Sequence, residues 1–328
     1  MNASIFAEWL IRQGHHIARS ESGCWYDAAP RVYQSFPYHC IRLPREGELP
    51  QLLRDHRALC ARYSTHPGAN GGCVSYHAVC DNKAYALEAL DRRTRQNVRR
   101  GLKECGVEPI PLTRVADEGW ELEADTCRRQ TRQSAFTKKS FRIRVNAAEG
   151  LPGFEAWGAV VGGRLAAYLL ALRVDDTLEL LSQACRTECL RNSPNHALVF
   201  VATREFIRRP DVRSVFYTVQ SLDAPSNVDE FKFRMGYTAK PIRQRVAFHP
   251  LIAPLVNKLS YAGLRQLRKF WSYKPYLTKA EGMFRFYLSG KASASEQDWP
   301  ECLSANKAEL LNTLCGCSAE EPKRISSN

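Results

Sequence analysis

Between Arg191 and Arg209 the chain reads RNSPNHALVFVATREFIRR, and it opens with a helix start. Asn192 or Ser193 can cap the helix, and Pro194 fits the first turn, where its missing N–H has no partner to lose. Leu198, Val201, Ala202 and Phe206 recur at helical spacing and supply one buried stripe. The flanks can be read against this helix. Upstream, AWGAVV (156–161) and RLAAYLLALRV (164–174) flank Gly162–Gly163, a two-residue turn suited to a hairpin. A second turn at Asp175–Asp176 leads into TLELLSQACR (177–186), so three antiparallel strands precede the helix. Downstream, VRSVFYTVQ (212–220) reads as a strand, and APSNVDEFKFRM (224–235) as a short helix stopped by Gly236. KPIRQRVAFHP (240–250) reads as a last strand.

The order β-β-β-α-β-α-β from residue 156 to 250 predicts an α/β (α+β) domain, a mixed and mostly antiparallel sheet flanked by helices. With its SPN helix start and its FKFRMGY segment (231–237), this order resembles the GNAT acyltransferase fold. Within that fold it is similar to the FemAB-like branch, which includes peptidoglycan aminoacyltransferases. The likeness runs from about residue 75 to 250 and is best over 155–250.

The resemblance implies acyl or aminoacyl transfer from a thioester or ester donor to an amine acceptor, by direct attack of the amine. Acyl-CoA (acetyl-CoA foremost) or aminoacyl-tRNA is the implied co-substrate, with no metal. A helix N-terminus offers unpaired N–H groups and a favourable dipole to phosphate. The resemblance therefore places the donor's pyrophosphate on Arg191, Asn192, Ser193, Asn195, His196 and Ala197. The family loop carries glycines three and five positions after its basic residue; here Pro194 and His196 stand there. Pro194 has no N–H to offer and His196 adds bulk, which keeps aminoacyl-tRNA beside acyl-CoA as a donor.

The resemblance also implies that the Phe231–Lys232 pair handles substrate charge, with the lysine as an electrostatic stabiliser. Tyr217 is the candidate proton donor and Glu179 the acidic candidate, while backbone donors around Ser182–Cys185 would face the oxyanion. Cys185 offers a rival, nucleophilic route, against the commoner reading of a buried cysteine as a small apolar residue.

Composition frames these expectations. The chain of 328 residues is 44% hydrophobic and 25% charged, ordinary values for a folded protein with a filled core. Its 47 basic and 34 acidic residues leave a formal charge of +13, which favours anionic partners such as phosphates, nucleic acid or acidic lipid. No run reaches the ~18 apolar residues of a membrane span, and MNASIFAEWLIRQGHH lacks the pattern of a secretory signal. The twelve cysteines therefore read as reduced thiols in a cytoplasmic protein.

Residues 1–150 are expected to form a mixed N-terminal unit, of the right length for a degenerate second GNAT-like half. CWYDAAPRVYQSFPYHCIRL (24–43) suggests strands, and GELPQLLRDHRALCARYS (47–64) carries Leu49, Leu52, Leu53 and Leu59 at helical spacing. His66, Cys73, His77 and Cys80 could supply four zinc ligands, but their spacing is not that of a finger, and Gly71–Cys80 reads as a plain strand. ALEALDRRTRQNVRRGLKECG (86–106) predicts a strongly basic helix ending at Gly106. Arg95, Arg99 and Arg100 on it are substrate-binding candidates, since guanidinium forks match phosphate oxygens. The same charge supports an alternative, a non-enzymatic nucleic-acid binder, with tRNA as a partner common to both readings.

Past Pro250, residues 251–292 read as a basic amphipathic helical extension. Leu255, Leu259, Leu264, Leu267 and Trp271 alternate with Lys258, Arg265, Arg268 and Lys269. Packing on the body of the protein is favoured over contact with an anionic membrane at the inner face, the position of a peripheral enzyme acting on envelope or lipid precursors. Residues 293–328 are expected to be a polar, loosely ordered tail.

Overall fold

A computed structural model describes residues 3–131, 134, 136–222, 226–271 and 275–316. Eleven strands form one sheet. They are β1 (Ile17–Ser20), β2 (Gly23–Ala29), β3 (Val32–Phe36), β4 (Cys60–Thr65), β5 (Cys73–Cys80) and β6 (Gly106–Ile110). The rest are β7 (Phe154–Val161), β8 (Arg164–Val174), β9 (Thr177–Cys185), β10 (Ser214–Val219) and β11 (Thr238–Phe248). The helices are α1 (Ala3–Arg12), α2 (Glu48–Asp55), α3 (Arg92–Glu104), α4 (Leu112–Arg129), α5 (Lys138–Asn146) and α6 (Pro194–Ile207). They continue with α7 (Ser226–Arg234), α8 (Lys258–Phe270), α9 (Pro275–Ser289), α10 (Glu301–Ser304) and α11 (Lys307–Gly316).

The expected order β-β-β-α-β-α-β is found as β7-β8-β9-α6-β10-α7-β11. Gly162 and Gly163 take φ of 56° and 79°, the left-handed pair that a tight hairpin requires. β8 is apolar along nearly its whole length because both faces are covered. Ala167, Leu169 and Ala171 pack with Leu198, Ala202 and Phe206 of α6 on one face. Tyr168 and Leu170 meet Leu122 of α4 and Phe141 of α5 on the other.

The strands lie in the order β1-β2-β3-β4-β11-β5-β10-β9-β8-β7-β6. β1-β2-β3 is an antiparallel meander followed by a parallel neighbour, β4, across helix α2. β7-β8-β9 is likewise a meander followed by parallel β10, across α6. The strands that follow these two units are exchanged: β5 pairs with β10, and β11 pairs with β4. β5 and β11 also pair with each other and seal the centre of the sheet.

Three local expectations shift. The helix read over residues 47–64 is only α2, and Leu59 falls just before β4, where its N–H donates to Arg31 O. The basic helix starts at Arg92 because Asp91 caps it, accepting from Thr94 N–H at 3.0 Å, and Gly106 already opens β6. The stretch from Ser293 to Gly316 carries α10 and α11 rather than a loose tail. Gln297 is buried and accepts from Val74 N–H, and Leu303, 4% exposed, joins the main core; residues 317–328 lie outside the described ones.

Candidate active site

The parallel pair β9·β10 parts along its length. Pairing runs from Thr177↔Ser214 to Glu179↔Phe216 and stops, although β9 continues to Cys185 and β10 to Val219. An extra residue interrupts each strand just past this point. Ala171 faces Leu180 and Leu170 faces Ser182, so Leu181 bulges from β9. Phe216 faces Val79 and Thr218 faces Ala78, so Tyr217 bulges from β10. Bulges end pairing and re-aim side chains, which is why they gather beside active sites. Tyr217 spans the gap, donating its hydroxyl to Gln183 Oε1 at 2.5 Å.

Lys232 of α7 reaches the same place. It is 4% exposed, and its Nζ lies 5.9 Å from the centroids of both the Tyr76 and Tyr217 rings. Such ring faces attract an ammonium, the more strongly when water is excluded. The end of α7 is anchored. Gly236 takes φ +82°, and a Cβ there would sit 3.0 Å from the Tyr85 ring, whose hydroxyl donates to Met235 O. Phe231 packs edge-on against His196, with ring centroids 5.2 Å apart. Tyr237 meets Tyr217 edge-on at 5.0 Å. Burial pushes the Tyr217 hydroxyl well above the ordinary phenol range, so it keeps its proton and can donate it in a hydrogen bond. Burial pulls the His196 ring down; Asp91 opposes the shift and Arg100 and Arg234 reinforce it.

The start of α6 lies beside Phe231 and is closely backed by α3. A Cβ on Gly101 would stand 2.6 Å from Ser193 O and 2.7 Å from Ala197 Cβ. Asn97 reaches His196 Nε2 at 3.5 Å, and Cys105 Sγ contacts Asn192 O. Few N–H groups remain for a phosphate. Ser193 N–H donates to Leu190 O, Pro194 has none, and those of His196 and Ala197 turn back to Ser193 O. Ser193 adopts a left-handed conformation (φ 54°), and its side chain makes no cap bond, so the turn rather than the hydroxyl starts the helix. Arg191 is exposed and Asn192 half-buried, while Asn195 Oδ1 has no hydrogen-bond partner among the described residues. Arg99 and Arg100 are exposed on α3, and Arg95 is half-buried.

Lys232, Phe231, Tyr217, His196 and the α6 start are thus brought together; Glu179 is not. Leu178 and Leu180 pack toward α6, so Glu179 between them faces the other side of the sheet. There it is fully buried, and its Oε1 accepts from His39 N–H at 2.9 Å and pairs with His39 Nδ1 at 2.6 Å. Cys185 is sealed in the core, and burial pushes its thiol up while Arg129 opposes the shift. Its N–H, one of the expected oxyanion donors, is taken by Thr126 Oγ1 at 3.0 Å. Cys73 and His77 point to one face of β5 and Cys80 to the other, so these three cannot share a metal ion. Sequence reasoning missed Tyr76, which borders the lysine, Gln183, which accepts from Tyr217, and His39 and Cys40, which stand in a row with Glu179.

No protein-family model matches the sequence, and no curated protein does. Solved structures do. FemX is similar over 76% of this chain and 92% of its own, with 12% identity and a TM-score of 0.54. L-PGS from Bacillus licheniformis aligns over 76% and 92% of the two chains, with 9% identity and a TM-score of 0.47. A GCN5-related N-acetyltransferase from Kribbella flavida aligns over 76% and 94%, with 12% identity and a TM-score of 0.45. The fold is GNAT-like, of the kind seen in FemX.

Proposed function

We propose that this chain is a FemAB-like N-acyltransferase that moves an acyl or aminoacyl group from an ester or thioester donor to an amine. The observation that carries this reading is the buried Lys232 ammonium, held over two tyrosine rings where β9 and β10 part. The acceptor amine attacks the donor carbonyl, and negative charge develops on the carbonyl oxygen and then on the leaving oxygen or sulfur. A fixed cation in a water-poor site stabilises that charge more strongly than one in solvent. Tyr217, which keeps its proton, supports the same charge as a donor once its hydroxyl turns from Gln183 Oε1 to the substrate. Residues 151–250 are the transferase core in this reading, and residues 1–150 a degenerate second half that completes its sheet.

The donor favoured is aminoacyl-tRNA rather than acyl-CoA. The α6 start has few N–H groups for a pyrophosphate, while Arg99 and Arg100 beside it suit a nucleic-acid backbone. The test is transfer of a labelled aminoacyl group from charged tRNA, run beside acetyl-CoA with a panel of amines. Transfer from tRNA that falls steeply with salt is expected; absence of transfer from both donors by the folded protein sinks the proposal.

The site of action is proposed to be cytoplasmic, at an anionic membrane surface. Helix α8 packs on α9 through Tyr261, which donates to Glu281 at 2.7 Å, and through Arg268. Its Leu259 and Phe270 are 83% and 79% exposed, on the side turned away from Tyr261. The packing favoured from sequence therefore covers only one face, and the apolar face left open is flanked by Lys258, Arg265 and Lys269, the pattern of an interfacial helix. Among the described residues no helix is long and apolar enough to cross a membrane. Co-flotation with phosphatidylglycerol vesicles, lost in a Leu259→Asp/Phe270→Asp double variant and absent with phosphatidylcholine, is expected. Equal flotation of the variant excludes α8 as the contact.

A further inference from the structure

On the sheet face opposite Lys232, three side chains that the transfer reading does not use stand in a row. Cys40 Sγ lies 3.6 Å from His39 Nε2, and His39 Nδ1 lies 2.6 Å from Glu179 Oε1. A thiol, an imidazole and a carboxylate in that order form the pattern of an activated nucleophile, in which the carboxylate fixes the ring and the ring handles the proton. The row is held from several sides. His39 N–H also donates to Glu179 Oε1, and Cys40 N–H donates to Pro37 O. Two residues on, Arg42 N–H donates to Ser64 O at 2.8 Å, tying the segment to β4. Glu179 is fully buried, and its Oε2 has no hydrogen-bond partner among the described residues.

Through His39, and through Ile41 next to Cys40 in the chain, the row adjoins a cavity of about 270 Å³. Ile41, Val79, Phe216 and Ile242 give it apolar walls, and His39, His77, Thr177, Ser214 and Lys240 supply its polar side. Such a space takes a small, mostly apolar group with one polar end. Cys40 is half-buried, as are Cys24 and Cys189, whereas six other described cysteines are buried and Cys302 is exposed. The charged or titratable neighbours of the row include His77 on β5, which hydrogen-bonds Ser64, Lys240 on β11, which is paired with Asp81, and Tyr26 and Tyr38, which lie within the fields of Glu179 and Arg144.

We propose that Cys40, His39 and Glu179 form a second reactive site, in which the Cys40 thiol accepts a short apolar acyl group from an ester or thioester. The sulfur attacks the carbonyl carbon, an S–C bond forms, and the donor's C–O or C–S bond breaks. The proton shared between Cys40 Sγ and His39 Nε2 passes from the ring to the departing oxygen or sulfur. The products are an S-acyl cysteine and a free alcohol or thiol, with no change in oxidation state.

The test uses the full chain with p-nitrophenyl acetate and with an acetyl thioester of N-acetylcysteamine, followed by peptide mass spectrometry. Exposed Cys302 serves as the reference thiol within the same molecule. Cys40 is expected to gain a hydroxylamine-labile acetyl group at least ten times faster than Cys302. His39→Gln and Glu179→Gln are expected to remove that advantage. Acetylation of Cys40 no faster than that of Cys302 overturns the proposal, as does an advantage that survives in a folded His39→Gln chain. Should either variant fail to fold, the ratio in the unaltered protein decides.

Discussion

Lys232 shows how one residue joins packing to chemistry. Its ammonium lies 5.9 Å from the centres of both the Tyr76 and Tyr217 rings, so methionine, of similar length, should keep most of the packing and remove the charge. Lys232→Met is expected to lower the rate of acyl transfer about a hundredfold, the usual effect of losing one preorganised charge partner. The melting temperature should move by a few degrees at most; a rate within threefold of the unaltered enzyme removes the lysine from the site. Two histidines make a different prediction, about pH. Burial alone would lower His39, but its hydrogen bonds with Cys40 and Glu179 outweigh that and push it up to about 10. Its contribution to stability is therefore complete below pH ~6.5 and is lost as pH rises toward 10. Burial, helped by the charge on His39, pulls His77 down to about 3, so its contribution is complete above pH ~6.5 and is lost as pH falls. Melting temperature should peak near pH 6.5, and His77→Gln should flatten the acid side; an unchanged acid limb refutes the assignment. Lys232 was legible because a lysine between two phenylalanines before a glycine stop is a local pattern. The His39–Glu179 pair spans 140 positions, and no local pattern announces it.

Among the elements, helices with strong ends were readable and strand irregularities were not. The SPN start and the Gly162–Gly163 turn fix their own geometry through backbone chemistry. The bulges at Leu181 and Tyr217 depend on register against neighbouring strands, which composition does not encode. Leu59 was misassigned for a related reason. Its spacing continues the stripe of Leu49, Leu52 and Leu53, but α2 stops at Asp55 and Arg57 turns to φ 48° before β4 begins. The contact between α3 and α6 gives an element-scale prediction with a built-in control. In a helix interior, Gly→Ala ordinarily stabilises by about 1 kcal/mol. At Gly263 of α8 a Cβ would meet nothing within 4 Å, so Gly263→Ala should show that gain. At Gly101 the Cβ would press on Ser193 O at 2.6 Å, and a backbone carbonyl cannot swing aside. Gly101→Ala should therefore destabilise by about 1–3 kcal/mol and push α3 away from the α6 start. Urea unfolding of the two variants measures both signs; a gain at Gly101 shows that the two helices can separate freely.

For the whole molecule the decisive feature is the exchange of β5 and β11. The sequence suggested a second GNAT-like half from length alone, because the meander β7-β8-β9 can be traced from its turns, whereas the strands of the first half cannot be followed with the same clarity. It gave no sign that the strand after each parallel pair crosses to the other unit, since pairing over such distances leaves no periodicity to read. The exchange has an energetic consequence. β5 lies between β11 and β10, so a fragment ending at residue 150 holds β5 without either neighbour. A fragment starting at 151 holds β11 without β4 or β5. Both leave the N–H and C=O groups of a mostly buried strand unpaired, and each such group costs about 1–3 kcal/mol when kept from water. The two fragments, made separately, are therefore expected to lack cooperative unfolding, and to regain it when mixed in equal amounts. The intact chain should unfold in a single transition, with calorimetric and van't Hoff enthalpies agreeing. Two resolved transitions, or a fragment 1–150 that melts cooperatively alone, would show that the central strands do not bind the two units into one folding unit.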